Sequence, residues 1–483
     1  MKKFTALLLC IILLFGFSFS ANATATPEFL SYMETQEYAA GIAVYVGSDE
    51  TERNIRWYSA DTDTVPVVLL DTDDDLSDGQ KFTGEYIVNY QGDHSNIVKI
   101  TGLEYNTTYY YECVTESYTS PVYSFSTSSD TAFTALYLTD IHIDNDEEEN
   151  PDDLSKTSYR LALEIEAAAQ NGKIDLLLSA GDQATEGLRE QYEGFAASPL
   201  IKTFSMATTV GNHDRKGIDY KYFNAVPNEQ NMIVGSFICN DYFFKKGDVL
   251  FCVFDSNNGS GIDHERAIKN ALKAYPDCKW RVAMFHHDLY GERIESREDE
   301  NKLLRLLWYP LMDEYSFDLV LLGHSHYYTV SNVLYDNETV ETIENNSTIT
   351  NATGTVYMVS GSTNHVRTIT DEEPPLGEEI EVENAVITPE AIYNLIDFTE
   401  DSITVKSYTM ESGECFHSFT LEKTSADGGH IKDDFFTSAW KGIRNSFVRV
   451  VGTIYAFFNN ISVLEKLEDY GIEGVKFFDA IMN

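Results

Sequence analysis

The stretch Phe133-Thr-Ala-Leu-Tyr-Leu-Thr-Asp-Ile-His142 joins a short apolar run to two polar side chains that can bind a metal ion. The run from Phe133 to Thr139 is typical of a strand buried on both faces. Asp140 and His142 follow it directly, at the carboxyl end of the predicted strand. Ligands of open α/β sheets bind beyond such strand ends, so this stretch predicts both a fold class and a site.

Four further apolar runs end in comparable motifs: Ile174 to Ala180 before Gly181-Asp182, Phe204 to Val210 before Gly211-Asn212-His213-Asp214, Arg281 to Phe285 before His286-His287, and Phe317 to Leu322 before Gly323-His324-Ser325-His326. Helical patterns separate several of them, at Leu154 to Gln170, Asp263 to Ala274 and Asn301 to Tyr315. This alternation predicts an α/β protein whose motifs converge on one sheet edge.

A glycine immediately precedes Asp182, Asn212 and His324. Because glycine has no Cβ, the chain can turn sharply there and bring a neighbouring side chain close to an ion. Asp182 stands alone in such a turn. If the site holds two metal ions, Asp182 is therefore the candidate carboxylate to bridge them.

The length of 483 residues predicts two domains plus extensions. Lys2 and Lys3, the apolar run from Phe4 to Phe19 and the sequence Ala21-Asn22-Ala23 predict a signal peptide over residues 1–23. We therefore expect a secreted or extracytoplasmic protein that begins near Thr24; an uncleaved signal anchor is the alternative.

The formal net charge of −44 opposes binding to nucleic acid polymers and to anionic membranes. We interpret the acidic stretches 144–153 and 371–383 as solvated surface. Beyond the signal peptide, the spacing of the five cysteines does not indicate a disulfide framework, and their pairing stays open.

Residues 27–128 contain short alternating strands and polar turns, which predict an all-β, immunoglobulin- or fibronectin-like sandwich. Trp57 is its expected core tryptophan, and the stretch from Leu103 to Tyr109 has the spacing of a tyrosine corner. The final strand is expected at Pro121 to Thr127 and a linker at Ser126 to Asp130. We expect a packed accessory domain rather than a ligand-binding module.

A C-terminal helical tail is predicted over residues 430–483, because apolar residues recur there at helical spacing: Phe436, Trp440, Ile443, Phe447, Val450, Ile454 and Phe458. Docking onto the preceding domain or an oligomer contact is the favoured role. Membrane contact through this helix is less favoured, because the acidic body opposes an anionic surface. The oligomeric state stays open.

The chemistry of the motifs suits hydrolysis of a phosphate ester. That reaction needs a nucleophile at neutral pH and positive charge beside the phosphoryl oxygens, and two metal ions roughly 3.5 to 4 Å apart supply both. Nitrogen and oxygen ligands suit Zn, Fe, Mn or similar ions, divalent or mixed-valence. The motifs contain no cysteine, which argues against a structural zinc site.

In order and content, the five motifs resemble those of the calcineurin-like metallophosphoesterase superfamily. The sandwich in front makes the chain most similar to purple acid phosphatases and their bacterial relatives. The resemblance covers residues 27–425 and includes the stretch Gly354 to Gly361, which resembles a late strand of that family. It implies an enzyme domain over residues 131–425, with a β-sandwich core flanked by helices.

The resemblance also implies seven metal ligands: Asp140, His142 and His326 for one ion, Asn212, His286 and His324 for the other, and Asp182 as the bridge. His213 would contact the phosphate or the leaving group and protonate the departing alkoxide, with Asp214 orienting its ring. His287 would lie beside the second ion, where a supporting hydrogen bond is favoured over substrate contact.

Two positions depart from the purple enzymes. Thr185 stands where those enzymes carry a tyrosine, and His142 is the histidine typical of the wider superfamily, so no tyrosinate-to-iron bond is expected. Asp288 replaces a proline of the relatives and is expected to cap a turn.

The sequence thus predicts an exported dinuclear-metal phosphoesterase of the acid phosphatase type, in which a metal-bound hydroxide attacks a small phosphomonoester. Phosphodiesters or nucleotides are the alternative substrates. A hypothesis of another class is a surface binding protein with a structural metal site.

Overall fold

A computed structural model describes residues 41–469 of the chain except 61–63, 90–91, 145–154, 235–237, 292–297, 366–383, 387–389 and 426–427. The predicted signal peptide, residues 27–40 of the predicted sandwich, most of the two acidic stretches and residues 470–483 of the predicted tail lie outside the described residues.

The strands of the N-terminal part are β1 (Ala43–Val46), β2 (Glu52–Ser59), β3 (Val67–Asp71), β4 (Gln80–Thr83), β5 (Glu85–Val88), β6 (His94–Thr101), β7 (Thr108–Val114) and β8 (Tyr123–Ser126). Those that follow are β9 (Phe133–Leu138), β10 (Leu176–Ser179), β11 (Ser205–Thr208), β12 (Tyr242–Lys246), β13 (Val249–Val253), β14 (Trp280–Met284), β15 (Leu319–Leu322), β16 (Tyr328–Val330), β17 (Val333–Tyr335), β18 (Glu338–Glu341), β19 (Ser347–Thr350), β20 (Val356–Val359), β21 (Asn384–Val386), β22 (Ile392–Phe398), β23 (Ser402–Thr409) and β24 (Cys415–Glu422). The α-helices are α1 (Ser155–Asn171), α2 (Arg189–Phe195), α3 (Tyr220–Phe223), α4 (Gly261–Ala274), α5 (Glu298–Glu314) and α6 (Phe435–Asp469), with short 3-10 helices at Pro199–Lys202 and Asp214–Lys216.

Each of the five apolar runs forms a strand, and the three predicted helices are present as α1, α4 and α5. The strands divide between two sheets. Strands β9, β10 and β11 are parallel neighbours in one sheet, and β13, β14, β15 and β20 are parallel neighbours in the other. The prediction of one α/β sheet is thereby refined to two.

Alternate side chains of each strand point into different layers, which explains why the runs are apolar throughout. Tyr137 and Leu178 of one sheet pack against Phe251 and Val282 of the other. The outer face of the first sheet packs on α1, and that of the second packs on α4 and α5. The expected β-sandwich core flanked by helices is confirmed.

The N-terminal part is a sandwich of β1, β2, β6 and β5 against β4, β3, β7 and β8. Trp57 is fully buried in the cluster between these layers. The expected tyrosine corner is present, because the Tyr109 hydroxyl accepts a hydrogen bond of 2.8 Å from the backbone N–H of Glu104.

The N-terminal sandwich shares a sheet with the part that follows. Strand β1 pairs in parallel with β11, with Tyr45 opposite Met206, and strands β2, β6 and β5 continue the same sheet outward. The linker predicted at Ser126 to Asp130 therefore joins two parts that are also connected by backbone hydrogen bonds.

A buried group of charges closes this junction. The carboxylate of Glu50 accepts hydrogen bonds from Arg53 at 2.7 Å and from the backbone N–H of Ser128 at 2.6 Å, and it pairs with Lys246 of β12. Burial by itself would raise the pKa of Glu50, but Arg53 and Lys246 lower it to about 2. Glu50 is thus ionised and tied to both parts of the molecule.

The predicted tail forms the helix α6, which docks on α4 and α5 through its charged face. Arg449 pairs with Glu265 of α4 and with Glu314 of α5. The predicted apolar stripe faces away from the body: Trp440 is 68% and Phe447 70% exposed. The favoured docking onto the preceding domain is present, and ion pairs on the face opposite the stripe hold the helix there. An oligomer contact stays a prediction.

Within the described part of the chain, no helix is both long and apolar enough to cross a bilayer. The five cysteines beyond the predicted signal peptide are free thiols, four of them buried.

The substitution Glu50→Gln should lower the free energy of unfolding by about 3–5 kcal/mol at neutral pH, because it leaves Lys246 and Arg53 buried without a counter-charge. The difference from wild type should shrink as the pH falls from 4.5 towards 2, since a carboxylate with a lowered pKa stabilises the fold only while it is ionised. Urea unfolding across this pH range measures both effects.

Glu186→Gln is the matched control, because Glu186 and Lys216 form an exposed ion pair at 2.7 Å. It should change the free energy of unfolding by less than about 1 kcal/mol. Equal effects of the two substitutions would contradict a structural role for the junction charges.

Candidate metal centre

The motif side chains meet where the carboxyl ends of the two sheets come together. Asp140 and Asp182 follow β9 and β10 of the first sheet, whereas His286 and His324 follow β14 and β15 of the second. The expected convergence is present, but two sheets contribute to it rather than one edge of a single sheet.

Several site residues adopt a backbone conformation that residues other than glycine rarely adopt. The φ angles are 51° at Asp140, 48° at His142 and 52° at Asp182, with 75° at His324 and 64° at His326. Left-handed backbone of this kind raises the local energy and is retained where the surrounding structure demands it. Here Asp140 and His142 donate backbone hydrogen bonds to the carbonyls of Gly181 and Asp182.

The glycines of the motifs leave space for ligand side chains. A Cβ on Gly211 would lie 2.0 Å from Asp182 Oδ1, and one on Gly323 would lie 2.7 Å from Asp140 Oδ2. Gly181 is constrained twice, because its φ is +100° and a Cβ would lie 2.6 Å from His286 Nδ1. The predicted need for close approach is confirmed, and at Gly181 the backbone demands glycine as well.

Three residues predicted to hold the first ion form one cluster. His326 Nε2 lies 3.2 Å from Asp140 Oδ1 and 3.2 Å from His142 Nε2. The same nitrogen of His142 lies 3.6 Å from Asp182 Oδ2. The structure therefore places the predicted bridging carboxylate against this cluster.

The residues predicted for the second ion meet on the other side of Asp182. His286 Nε2 lies 3.3 Å from Asp182 Oδ2 and 3.0 Å from Asn212 Oδ1. His324 reaches the same amide oxygen with its Nδ1, at 2.9 Å. The two clusters thus share Asp182, as a bridging ligand requires.

Backbone carbonyls orient two of the histidine rings. His286 Nδ1 donates to the carbonyl of Ala180 at 2.9 Å, and His326 Nδ1 donates to that of His365 at 2.8 Å. A carbonyl oxygen only accepts, so the Nε2 atoms that face the carboxylates are left with a lone pair when the rings are neutral. This arrangement is the usual one for metal-binding histidines.

The carboxylates of the cluster are ionised in spite of their burial. Burial raises the pKa of Asp140, but the rings of His326, His286 and His142 lower it well below its ordinary value. Burial likewise raises the pKa of Asp182, but His286 and His142 together lower it below its ordinary value. Burial lowers the pKa of His286, yet Asp182 and Asp140 raise it to about 9. The protonated ring therefore supplies positive charge beside these two carboxylates.

The donor set fits two metal ions. Carboxylate oxygens and ring nitrogens converge within 4.8 Å of one another in three overlapping groups, namely Asp140-His142-His326, His142-Asp182-His213 and Asp140-Asp182-His286. Two ionised carboxylates buried this closely repel each other, and bound cations relieve both the repulsion and the loss of hydration.

Asp214 does not have the predicted role of orienting the His213 ring. Its carboxylate accepts hydrogen bonds from the backbone N–H groups of Asp182 and Gly211, both at 2.8 Å, and from the Tyr192 hydroxyl. His213 Nδ1 instead bonds the carbonyl of Thr185 at 2.9 Å. Asp214 therefore positions the loop backbone, because peptide N–H groups and a phenol, rather than an imidazole, surround it.

His287 lies beside the predicted ligand His324, with 4.8 Å between the ring centroids, and its Nδ1 is 2.8 Å from Ser256 Oγ. Asp288 caps a turn as expected, because its Oδ1 accepts bonds of 2.8 Å from the backbone N–H groups of Tyr290 and Gly291.

Sequence reasoning missed the loop after β20. Ser362 Oγ donates to the Asp140 carbonyl at 2.6 Å, Asn364 bonds the Ile141 carbonyl, and the His365 ring lies 4.8 Å from that of His142. The signal was available, since polar residues follow the recognised late strand just as they follow the other site strands.

The fold and the clustered side chains fit a metallophosphoesterase. Residues 133–328 match the calcineurin-like phosphoesterase family, and residues 40–127 match the N-terminal domain of purple acid phosphatases. The chain therefore carries a calcineurin-like phosphoesterase domain preceded by a purple acid phosphatase N-terminal domain.

Two of the solved structures that match this chain illustrate the shared fold. The purple acid phosphatase PPD1 from yellow lupin (Lupinus luteus) is 14% identical to this chain. The match covers 81% of this chain and 77% of the lupin protein, with a TM-score of 0.63. PhoD is also 14% identical; the match covers 86% of this chain and 98% of PhoD, with a TM-score of 0.57. The comparison with curated proteins finds no match in sequence.

The substitution Gly211→Ala should abolish stoichiometric metal binding, because its Cβ would occupy the space of the Asp182 carboxylate. Metal analysis after reconstitution and dialysis measures the occupancy.

Gly442→Ala is the control, since a Cβ there meets no atom within 4 Å. It should retain full metal occupancy, and equal metal content in the two variants would contradict the assigned position of Asp182.

Iron-loaded protein should show no purple charge-transfer band in its visible spectrum. Thr185 offers no phenol, and the nearby Tyr192 hydroxyl donates its hydrogen bond to Asp214. A visible band that persists after removal of excess iron would contradict this expectation.

Proposed function

We propose that the protein is an exported dinuclear-metal phosphoesterase that hydrolyses phosphomonoesters. The observation that carries this proposal is the shared position of Asp182 between two groups of ligands, 3.6 Å from His142 Nε2 and 3.3 Å from His286 Nε2. The signal peptide predicted at residues 1–23 supports export.

The proposed ligands are Asp140, His142 and His326 for one ion, Asn212, His286 and His324 for the other, and Asp182 for both. When bound, the ions neutralise charge on the phosphoryl oxygens and lower the pKa of a water molecule so that a nucleophile exists at neutral pH. The ring nitrogens and carboxylates of the chain hold these charges in fixed positions within a buried site, where electrostatic stabilisation is strong.

His213 is the proposed general acid. Its backbone N–H donates to Asp182 Oδ1 at 2.8 Å, its Nδ1 is bound to the Thr185 carbonyl, and its half-buried ring lies 4.6 Å from that of His142. With Nδ1 engaged, Nε2 is the atom that can carry a proton to the leaving oxygen. Asp214 supports this role indirectly, by fixing the loop that holds His213.

A phosphomonoester suits the site because its additional anionic oxygen gains most from two adjacent cations. The net charge of −44 disfavours polymeric nucleic acid as a substrate. Diesters and nucleotides would use the same ligands, so a substrate panel that includes them tests the class of ester.

The substitution His213→Ala should lower kcat by roughly 10²- to 10⁴-fold on alkyl phosphates, whose alkoxide must be protonated as it leaves. The loss should be much smaller on aryl phosphates with acidic phenols. Steady-state rates on the two series, with metal content measured for each protein, separate proton donation from loss of the site.

Asp182→Asn is the comparison, since it removes the proposed bridge and should lower the rate on both series together with metal occupancy. Turnover that is unchanged in both variants would contradict the catalytic assignment and favour a binding protein with a structural metal site. Faster turnover of diesters than of monoesters would contradict the proposed substrate class.

A further inference from the structure

The helix α6 is held on the body by its charged face. Arg444 pairs with Asp336 at 2.9 Å, and Lys441 lies 3.4 Å from the same carboxylate. Arg449 lies between α4 and α5, 2.8 Å from Glu265. The basic residues that the helix offers near its apolar stripe are therefore all engaged by acidic groups of the body.

The backbone of α6 also approaches the body closely. A Cβ on Gly452 would lie 2.5 Å from the carbonyl oxygen of Gly259, and Ala456 is only 2% exposed. Ser260 Oγ and Thr453 Oγ1 are 3.3 Å apart at the same contact. Small residues and ion pairs together fix which side of the helix faces outward.

The opposite side of α6 presents a continuous apolar surface. This outward stripe consists of side chains between 48% and 82% exposed, namely Phe436, Trp440, Ile443, Phe447, Val450 and Ile454. It extends over about 27 Å of helix. Contiguous apolar surface of this kind marks an interaction site, because its exposure to water is unfavourable.

We propose that the outward stripe binds the headgroup and upper acyl region of an uncharged, zwitterionic bilayer, with α6 lying parallel to the surface. Tryptophan and phenylalanine are favoured at this depth, and Trp440 and Phe447 are central to the stripe. The signal peptide predicted at residues 1–23 would bring the chain to a membrane during export.

Charge favours a zwitterionic bilayer over an anionic bilayer and over a second copy of the chain. Over the span of the stripe, from Phe436 to Ile454, the basic side chains are Lys441, Arg444 and Arg449. All three are paired with acidic groups of the body, so the stripe offers no free cation to anionic lipid. A second copy of the chain would bring two bodies of net charge −44 together. Unlike most amphipathic helices at membranes, α6 should therefore bind more weakly as anionic lipid is added.

The test measures binding of the protein beginning at Thr24 to phosphatidylcholine vesicles, by sedimentation and by tryptophan fluorescence. Three of the four tryptophans, Trp57, Trp280 and Trp308, are buried, so a blue shift on vesicle addition reports on Trp440. We expect cosedimentation with such a shift, and a fall in both when phosphatidylserine is included.

The double variant Trp440→Ser with Phe447→Ser should lower the partition coefficient tenfold or more, roughly the effect of withdrawing one or two large apolar side chains from contact. Val65→Ser with Ile233→Ser is the matched control, because both residues are more than half exposed and lie outside α6. Circular dichroism checks that each variant is folded.

Equal binding by wild type and the stripe variant would overturn the proposal. So would a concentration-dependent dimer that the stripe variant abolishes in the absence of vesicle binding, which would assign the stripe to a second copy. Vesicle binding that appears only after truncation at Asp469 would also overturn the proposal, because it would assign the stripe to residues 470–483 rather than to a membrane.

Discussion

The carboxylate of Asp182 is the group on which the rest of the site depends. It stands in a left-handed turn between Gly181, whose side-chain space is filled by His286, and Gly211, whose missing Cβ makes room for the carboxylate itself. Its backbone N–H is fixed by Asp214, and its oxygens face rings from both sheets. A strained, buried anion of this kind is stable only with positive charge around it, so the architecture and the chemistry require each other.

The two-sheet arrangement explains how one small region collects so many ligands. Parallel strands in each sheet end at the same edge, and packing the two sheets face to face brings the edges together. The apolar runs before the motifs serve this purpose, since residues such as Tyr137 and Phe251 fill the layer between the sheets. The N-terminal sandwich extends one of these sheets through β1, so it reinforces the scaffold rather than standing apart from it.

Charges that are buried at contacts organise the periphery in the same way. Glu50 ties the N-terminal sandwich to β12, and Arg449 ties α6 to α4 and α5. In both cases the acidic or basic group would be unfavourable in isolation and becomes favourable through its partners. The consequence for α6 is that its polar side is used internally and its apolar side faces the surroundings.

The sequence alone predicted the five strands before the motifs and supplied the side chains that meet around Asp140 and Asp182, because these depend on local apolar runs and on residue chemistry. It did not predict the role of Asp214, since hydrogen bonds to distant backbone groups leave no periodic signal. The site loop containing His365 was missed as well, although polar residues follow the late strand in the sequence. Periodicity likewise identified the apolar stripe of α6 but not its direction. Only the tertiary structure decided that direction, because the acidic partners of Arg449 lie more than a hundred residues away in the chain.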